Sequence, residues 1–249
     1  MERIRISAVS YLNTKPFVYG LQHSELLDQV DLSLDIPSLC ASKLAKNIAD
    51  VGLIPVAAMA DVPGSRIISD YCIASSGNVR TVILVSNSPL TEISKVVLDD
   101  HSRTSVQLVK VLAKYFWKIS PTWEKGQTGV ADQQLTQNTA AVVIGDKAFS
   151  AAGRYKYCYD LGAAWKTFTG FDFVFACWVA NKPLPVEFIS EFNQALGWGV
   201  SRIQDVIDEY DKVYPDYRIS EYFNENLGLV FDESKRKGLE LFLKLNEGL

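Results

Sequence analysis

The alternation of short apolar runs with amphipathic helical segments constrains the fold of this chain more than any other sequence feature. Residues Arg3–Val9 and Asp31–Ile36 have the pattern of strands. A helix is predicted from Ser38 to Ile48, and the next apolar run, Asp50–Ile54, follows it directly. Strands that alternate with helices in this way are typical of an α/β fold with parallel strands.

The alternation continues through the middle of the chain and changes beyond Pro185, where we expect only helices. Further strands are predicted at Arg66–Ile73, Thr81–Val85, Val96–Leu98, Ala140–Ile144, Tyr157–Leu161 and Phe173–Ala180. No Pro/Ser/Gly-rich linker divides the chain, so two domains would have to be joined by strands that cross between them. The candidate hinges are Thr81–Ser86 and Phe173–Val179.

The charge and hydropathy of the chain exclude two classes of partner. The formal net charge is −4, and Lys and Arg form no cluster that could follow a nucleic-acid backbone. No apolar run approaches the roughly 20 residues needed to cross a bilayer. Because the first residues lead into a strand instead of a signal peptide, we expect a cytoplasmic protein.

The sequence contains no metal-ligand or cofactor motif. Its four cysteines lack paired spacing, and its two histidines, His23 and His101, lie far apart. A glycine-rich phosphate loop is missing as well. We therefore expect a protein without a metal or a cofactor, with reduced and mostly buried thiols.

The loop that follows the first strand is the first candidate ligand site. It contains Tyr11, Leu12 and Asn13, and loops at the carboxyl ends of strands are where open α/β sheets bind ligands. An alternative is that Asn13 only caps the helix that Pro16 begins. Lys15 either contacts an anionic ligand or faces solvent.

The start of an amphipathic helix, predicted over Thr104–Trp117, is the second candidate. The polar residues at this point are Ser102 and Arg103, which precede the helix, and Thr104 and Ser105, which begin it. Free amide hydrogens and the helix dipole favour a carboxylate or phosphate there, and the Arg103 guanidinium would add a cation. Equally open is a plain helix cap in which Arg103 pairs with Asp99 or Asp100 on the surface.

Three further residues, at two buried strands, are candidates for contact with a ligand. Gly145 and Asp146 follow the strand that ends at Ile144, where glycine permits close approach of a ligand and the carboxylate could meet a hydroxyl. Asp146 could instead cap the next helix. Phe173 belongs to an aromatic-rich strand that forms core, or it faces a planar ring from the wall of a cleft.

Several blocks, in order along the chain, resemble one family. They are Ser10–Pro16, Asp50–Val56, Ser102–Val106, Val143–Asp146, Tyr159–Gly162 and Phe173–Ala176. Together these blocks resemble the chorismate dehydratase family of the futalosine route to menaquinone.

The resemblance implies a two-lobed type II periplasmic-binding-protein-like fold of the α/β class, with a ligand cleft between the lobes. Lobe I would comprise residues 1–81 and 176–249, and lobe II residues 82–175. Closure of the cleft would then bring Asn13 opposite Thr104 and Ser105.

The implied reaction is a cofactor-independent hydro-lyase step that converts chorismate, a dicarboxylate, to 3-[(1-carboxyvinyl)oxy]benzoate and water. Asn13 would hold a carboxylate or the leaving hydroxyl, and Ser76 or Thr81 would donate a hydrogen bond. The substrate's own enolpyruvyl carboxylate is the expected base. Substrate binding would fall to Tyr11, Leu12, Ile54, Ser102, Arg103, Thr104, Ser105, Gly145, Asp146 and Phe173.

Two alternatives remain from the sequence. A solute-binding protein of the same fold would hold an organic acid without chemistry. A sister enzyme of the same pathway forms dihydroxynaphthoate from a cyclised futalosine, although the Ser10–Pro16 block favours the dehydratase.

Overall fold

The structure is a computed structural model that describes residues 3–99, 103–126, 135–215 and 217–249. The strands are β1 (Ile4–Val9), β2 (Val30–Asp35), β3 (Val51–Pro55), β4 (Arg66–Ser75), β5 (Val82–Ser86), β6 (Lys95–Leu98), β7 (Thr122–Lys125), β8 (Thr139–Ile144), β9 (Tyr157–Asp160), β10 (Phe173–Ala180) and β11 (Gly228–Val230). The helices are α1 (Lys15–Gln22), α2 (Pro37–Ala45), α3 (Arg103–Val111), α4 (Lys147–Ala151), α5 (Leu161–Thr169), α6 (Val186–Ser201), α7 (Ile203–Tyr210), α8 (Ile219–Glu221) and α9 (Glu233–Glu247).

The chain divides into two compact units, each with its own sheet. Unit 1 comprises Met1–Ala74 and Val174–Glu233, and unit 2 comprises Ser75–Phe173 and Ser234–Leu249. The division expected from the sequence set its boundaries after residues 81 and 175 and assigned the whole C-terminal segment to the first lobe. Here most of α9 belongs to unit 2, because Phe242 packs edge to face on Phe173 with ring centroids 5.0 Å apart.

The sheet of unit 1 has the strand order β11-β4-β10-β3-β1-β2. Strand β1 pairs in parallel with β2 and β3, as the strand–helix alternation predicts, and β10 runs antiparallel to β3. The indole of Trp178 lies in the core of this unit, 6.0 Å from the ring of Phe17 and 5.1 Å from that of Phe192.

Helices α1 and α6 of unit 1 approach each other through glycines. A Cβ atom placed on Gly20 would collide with the carbonyl oxygen of Ala195, and one placed on Gly199 would collide with that of Pro16. Any larger residue at either position would push the two helices apart. These glycines therefore set how closely α1, which follows the candidate loop, packs on the unit.

The sheet of unit 2 has the order β7-β6-β8-β5-β9. Strand β6 is parallel to β7 and β8, whereas β5 is antiparallel to both β8 and β9. Residues Ile83, Val85 and Val143 form part of its apolar core. The carboxyl ends of β6, β8 and β9 and the start of β5 consequently lie along one edge of the sheet.

The observed elements differ from the predicted ones at the edges of the sheets. The expectation of helices alone beyond Pro185 is wrong, because Gly228–Val230 forms edge strand β11 against β4. Strand β7, another edge strand, was not expected either. The helix expected to reach Trp117 is α-helical only to Val111 and continues as a π-helix over Leu112–Trp117. Within the described ranges, no helix is long and apolar enough to span a membrane.

Candidate functional site

In unit 1 the candidate loop leaves the carboxyl end of β1 as a single 3-10 turn, Leu12–Thr14. Leu12 and Thr14 are fully buried, whereas Tyr11 and Asn13 are half-buried. Neither this turn nor α1 has a side-chain hydrogen bond at its N-cap, so Asn13 is not a helix cap. The structure thereby removes the capping alternative for Asn13.

The side chain of Asn13 is held by its neighbour. The buried hydroxyl of Thr14 donates to Asn13 Oδ1 at 3.1 Å. Because the amide oxygen accepts this bond, the Nδ2 group on the other side of the amide retains two hydrogens to donate. The hydrogens of Nδ2 are therefore the groups that Asn13 can donate to a ligand.

Two further candidate residues of unit 1 differ in their surroundings: Ile54 lies in the apolar core, and Lys15 lies against an aromatic ring. Ile54 is fully buried in β3, where it pairs with Cys177 of β10. The ammonium of Lys15 lies 5.1 Å from the centre of the Tyr210 ring, a cation–π contact. We expected Lys15 either to contact an anionic ligand or to face solvent, and the structure instead shows it against an aromatic ring.

In unit 2, Thr81, Gly145 and Asp160 lie at the sheet edge formed by the start of β5 and the carboxyl ends of β8 and β9. The register pairs Val82 with Ile144 and Ile83 with Asp160. The residue before β5, Thr81, and the residue after β8, Gly145, are therefore neighbours, and Gly145 N–H donates to the Thr81 carbonyl at 2.8 Å. Gly145 has φ +67°, in the left-handed region that favours glycine.

Asp160 organises the loop that leads into β5. Its carboxylate caps α5 and accepts hydrogen bonds from the backbone N–H groups of Val79, Arg80, Gly162 and Ala163. The Arg80 bond is 2.7 Å long, and Arg80 has φ +61°, an unusual conformation for a residue with a side chain. Burial raises the pKa of Asp160, and the four amide hydrogens counter part of that rise.

Thr81 and Ser76, the two hydroxyl residues predicted to be catalytic, both donate to protein oxygens. Thr81 is almost fully buried, and its Oγ1 donates to the Val79 carbonyl at 3.3 Å. Ser76 belongs to the exposed residues, and its Oγ donates to Asp172 Oδ1 at 2.8 Å. The structure thus supplies both hydroxyl groups with acceptors within unit 2.

The second predicted anion site lies at the start of α3. Arg103 is exposed there, whereas the side chains of Thr104 and Ser105 are buried. Ser102 and His101 lie outside the described residues. Because β6 is parallel to β8, the start of α3 follows the same sheet edge as Gly145.

The sequence leaves open whether Asp146 caps a helix and whether Phe173 is a core residue, and the structure describes both side chains. Asp146 occupies the N-cap position of α4, but its side chain makes no capping hydrogen bond. Phe173 is 1% exposed and packs between Trp165 and Phe242, with ring centroids 5.2 and 5.0 Å away. Phe173 is thus packed as a core residue of unit 2.

Sequence reasoning did not single out Asp160, Asp172 or Thr14. Asp160 could have been found from its position at the end of a strand, immediately before a helix that contains Gly162. Asp172 carries little local signal, because only Lys166 is near it in sequence, whereas Ser76 and Lys235 come from distant segments. Among the described residues, no cluster of three or more His, Cys, Asp and Glu side chains could hold a metal ion.

Comparison with known proteins gives matches over most of the chain. The model of a family described as menaquinone biosynthesis matches residues 4–247. A chorismate dehydratase from Thermus thermophilus is 25% identical over 199 residues, which is 71% of this chain and 71% of that protein.

The structural comparisons identify the fold. A crystal structure of a protein from Archaeoglobus fulgidus matches with a TM-score of 0.77 at 16% identity, over 99% of this chain and 97% of that one. The periplasmic aliphatic sulphonate binding protein of Escherichia coli matches with a TM-score of 0.60 at 17% identity, over 98% and 92%. The predicted periplasmic-binding-protein-like α/β fold is confirmed. Since the family model spans nearly its whole length, this chain belongs to the menaquinone biosynthesis family.

Proposed function

We propose that this protein is a cofactor-independent chorismate dehydratase, a carbon–oxygen lyase. The observation that carries the proposal is the family match over residues 4–247. The relative from Thermus thermophilus, itself a chorismate dehydratase, supports the choice of reaction within that family.

The proposed reaction eliminates water from chorismate and gives 3-[(1-carboxyvinyl)oxy]benzoate. A ring proton and the ring hydroxyl leave together as one water molecule, so no oxidant, reductant or other co-reactant is needed. Aromatisation of the ring supplies much of the driving force. The protein has to bind two carboxylates, orient the leaving hydroxyl and provide for proton transfer.

In unit 1, Asn13 suits the first two tasks. Its amide hydrogens are directed by the Thr14 bond, and hydrogen-bond donors stabilise both a carboxylate and a departing hydroxyl. Tyr11 and Leu12 precede it in the same loop and would define the pocket wall.

In unit 2, the start of α3 suits a substrate carboxylate. The buried positions of Thr104 and Ser105 reduce competition from water, and the helix N-terminus favours negative charge. Arg103, which is exposed, would contribute a guanidinium at the rim.

The enolpyruvyl carboxylate of the substrate is proposed as the base. The buried carboxylates of unit 2 are poorly suited to this role, because Asp160 accepts backbone hydrogen bonds and Asp172 contacts two lysines. The lysines hold the pKa of Asp172 below its usual value, so Asp172 is a weak base. Both oxygens of the buried Asp160 accept backbone N–H groups, which occupy the lone pairs that a base would need. The substrate brings a carboxylate of its own to the reacting ring.

The test is to incubate the purified protein with chorismate and follow the loss of the diene and the gain of a benzoate chromophore. The product should be lighter than chorismate by one water, and a reaction without protein is the control. An unchanged spectrum at high protein concentration would reject the proposal. A chorismate analogue that lacks the enolpyruvyl carboxylate should bind but not aromatise.

The likeness to a sulphonate binding protein favours a second candidate, an organic-acid-binding protein without catalysis. Calorimetry in the same experiment distinguishes the two. Saturable heat of binding without any product would support the second candidate.

A further inference from the structure

The carboxylate of Asp172 lies at a junction of charged and polar groups in unit 2. Its Oδ1 accepts hydrogen bonds from Ser76 Oγ at 2.8 Å and from Lys166 Nζ at 2.7 Å. Its Oδ2 lies 3.5 Å from Nζ of Lys235, whose side chain is only 8% exposed. Burial alone would raise the pKa of Asp172, but the two lysines and the serine outweigh it and hold the pKa below its usual value.

An ionised Asp172 determines which hydrogen-bonding role remains for Ser76. A carboxylate can only accept hydrogen bonds, and a serine hydroxyl has one proton. The short bond to Asp172 uses that proton, and charge-assisted bonds of this kind are stronger than neutral ones. The oxygen of Ser76 is left with its lone pairs, at an exposed residue.

We propose that Asp172 is a positioning residue that orients Ser76 as a hydrogen-bond acceptor for a hydroxyl of the substrate. The inference rests on the proposed function, in which the substrate's ring hydroxyl is the leaving group. When Ser76 accepts a hydrogen bond from this hydroxyl, the proton stays on the substrate oxygen, and the lone pairs of that leaving oxygen turn toward other donors. This role replaces the donor role expected for Ser76 from the sequence.

The backbone around Asp172 is fixed on two sides. A Cβ atom on Gly238 of α9 would collide with the Asp172 carbonyl oxygen, so the helix and this segment are in close contact. The next residue, Phe173, is buried between Trp165 and Phe242. Such packing gives the carboxylate the fixed position that an orienting role requires.

Asp172 and two of its contact partners, Ser76 and Lys235, belong to the three segments in which the chain passes from one unit to the other. The passages lie at residues 74/75, 173/174 and 233/234. Ser76, Asp172 and Lys235 are each the second residue on the unit 2 side of one passage. The carboxylate therefore fixes Ser76 with respect to the other two connecting segments within unit 2.

A double-mutant cycle tests the inference on the full chain with chorismate as substrate. Ser76→Ala and Asp172→Asn should each lower kcat by about 10- to 100-fold, with a smaller change in KM. The double variant should be no slower than the slower single variant, because Asp172 acts through Ser76. Thermal unfolding measured by circular dichroism accompanies each variant.

A charge-balanced variant controls for repulsion between the two lysines, which could disturb the structure when the Asp172 charge is removed. Asp172→Asn leaves two lysines beside a neutral amide, so Asp172→Asn/Lys235→Gln removes one positive charge as well. We expect the same fall in kcat from both.

The outcomes separate the inference from the function on which it rests. If the wild type converts chorismate but the effects of S76A and D172N multiply in the double variant, Asp172 does not act through Ser76 and the inference is rejected. If the wild type itself forms no product, the proposed function fails and the inference fails with it.

Discussion

The hydroxyl of Thr14 donates a 3.1 Å hydrogen bond to the side-chain oxygen of Asn13, the residue immediately before it. Thr14 is fully buried, so this bond satisfies a polar group that would otherwise be costly to bury. The bond also fixes the Asn13 side-chain oxygen as an acceptor for Thr14 and leaves the Nδ2 hydrogens for other partners. One threonine thus stabilises the turn and defines Asn13 as a donor.

Changing Thr14 should alter catalysis without unfolding the protein. Thr14→Val has nearly the same volume but no hydroxyl, so the Asn13 amide loses its anchor. We expect kcat for chorismate to fall by about 3- to 10-fold, the size of one neutral hydrogen bond. Thr14→Ser keeps the hydroxyl and is the matched control. Equal rates for the Val and Ser variants would show that the hydroxyl does not orient Asn13.

Asn13 itself should be far more sensitive than Thr14. Asn13→Asp keeps an oxygen that can accept from Thr14 but replaces the donating Nδ2 group with a second acceptor. We expect kcat to fall by at least about 100-fold, because a donor to developing negative charge is lost. Asn13→Ala should show a similar loss, with both variants unfolding within a few degrees of the wild type. Normal turnover by either variant would remove Asn13 from the mechanism.

Much of the fold follows from the sequence because the central strands are apolar. Strands such as Val82–Ser86 and Thr139–Ile144 are buried along their whole length and appear as short apolar runs. Edge strands lack this signal: Thr122–Lys125 is largely exposed and has ordinary surface composition. Strand β11 has only three residues, too few for any periodicity.

The candidate site could be predicted where a single segment contains it. The loop at Asn13 and the start of α3 both stand out as polar residues beside an apolar element. Asp172 contacts Ser76, which is 96 positions before it, and Lys235, which is 63 positions after it. A local sequence pattern cannot predict contacts between residues so far apart in the chain. Phe173 could not be separated from a cleft wall, because alternation shows that a side chain is buried but not what covers it.

The carboxylate of Asp160 should be a large source of stability for unit 2. Asp160→Ala removes the cap of α5 and leaves the amide hydrogens of Val79 and Arg80 without their acceptor. We expect the free energy of unfolding, measured with urea, to fall by about 2 kcal/mol. Asp208→Ala, at an exposed position of α7, is the control and should change it by less than about 0.5 kcal/mol. A similar small effect at both positions would contradict this role for Asp160.

A buried carboxylate in unit 1, paired with two partly exposed cations, should make stability depend on pH in the acid range. Asp50, whose side chain is 5% exposed, contacts Arg5 at 2.7 Å and Lys182 at 2.8 Å. Burial alone would raise its pKa, but the two cations outweigh burial and hold the pKa well below its usual range. Because the pKa is lower in the folded state, this stabilisation is complete above the unfolded-state pKa of about 4. It is lost progressively as the pH falls below that value toward the folded-state pKa.

Urea unfolding between pH 7 and pH 2.5 tests this contribution. We expect the wild type to lose stability below about pH 4.5, and Asp50→Asn to lose less over the same range, because its amide cannot titrate. Asp31→Asn is the matched control, since Asp31 pairs with Arg3 on the surface, where side-chain exposures are 60% and 49%. This control should follow the wild-type curve. If Asp50→Asn follows it as well, the acid sensitivity arises from other carboxylates.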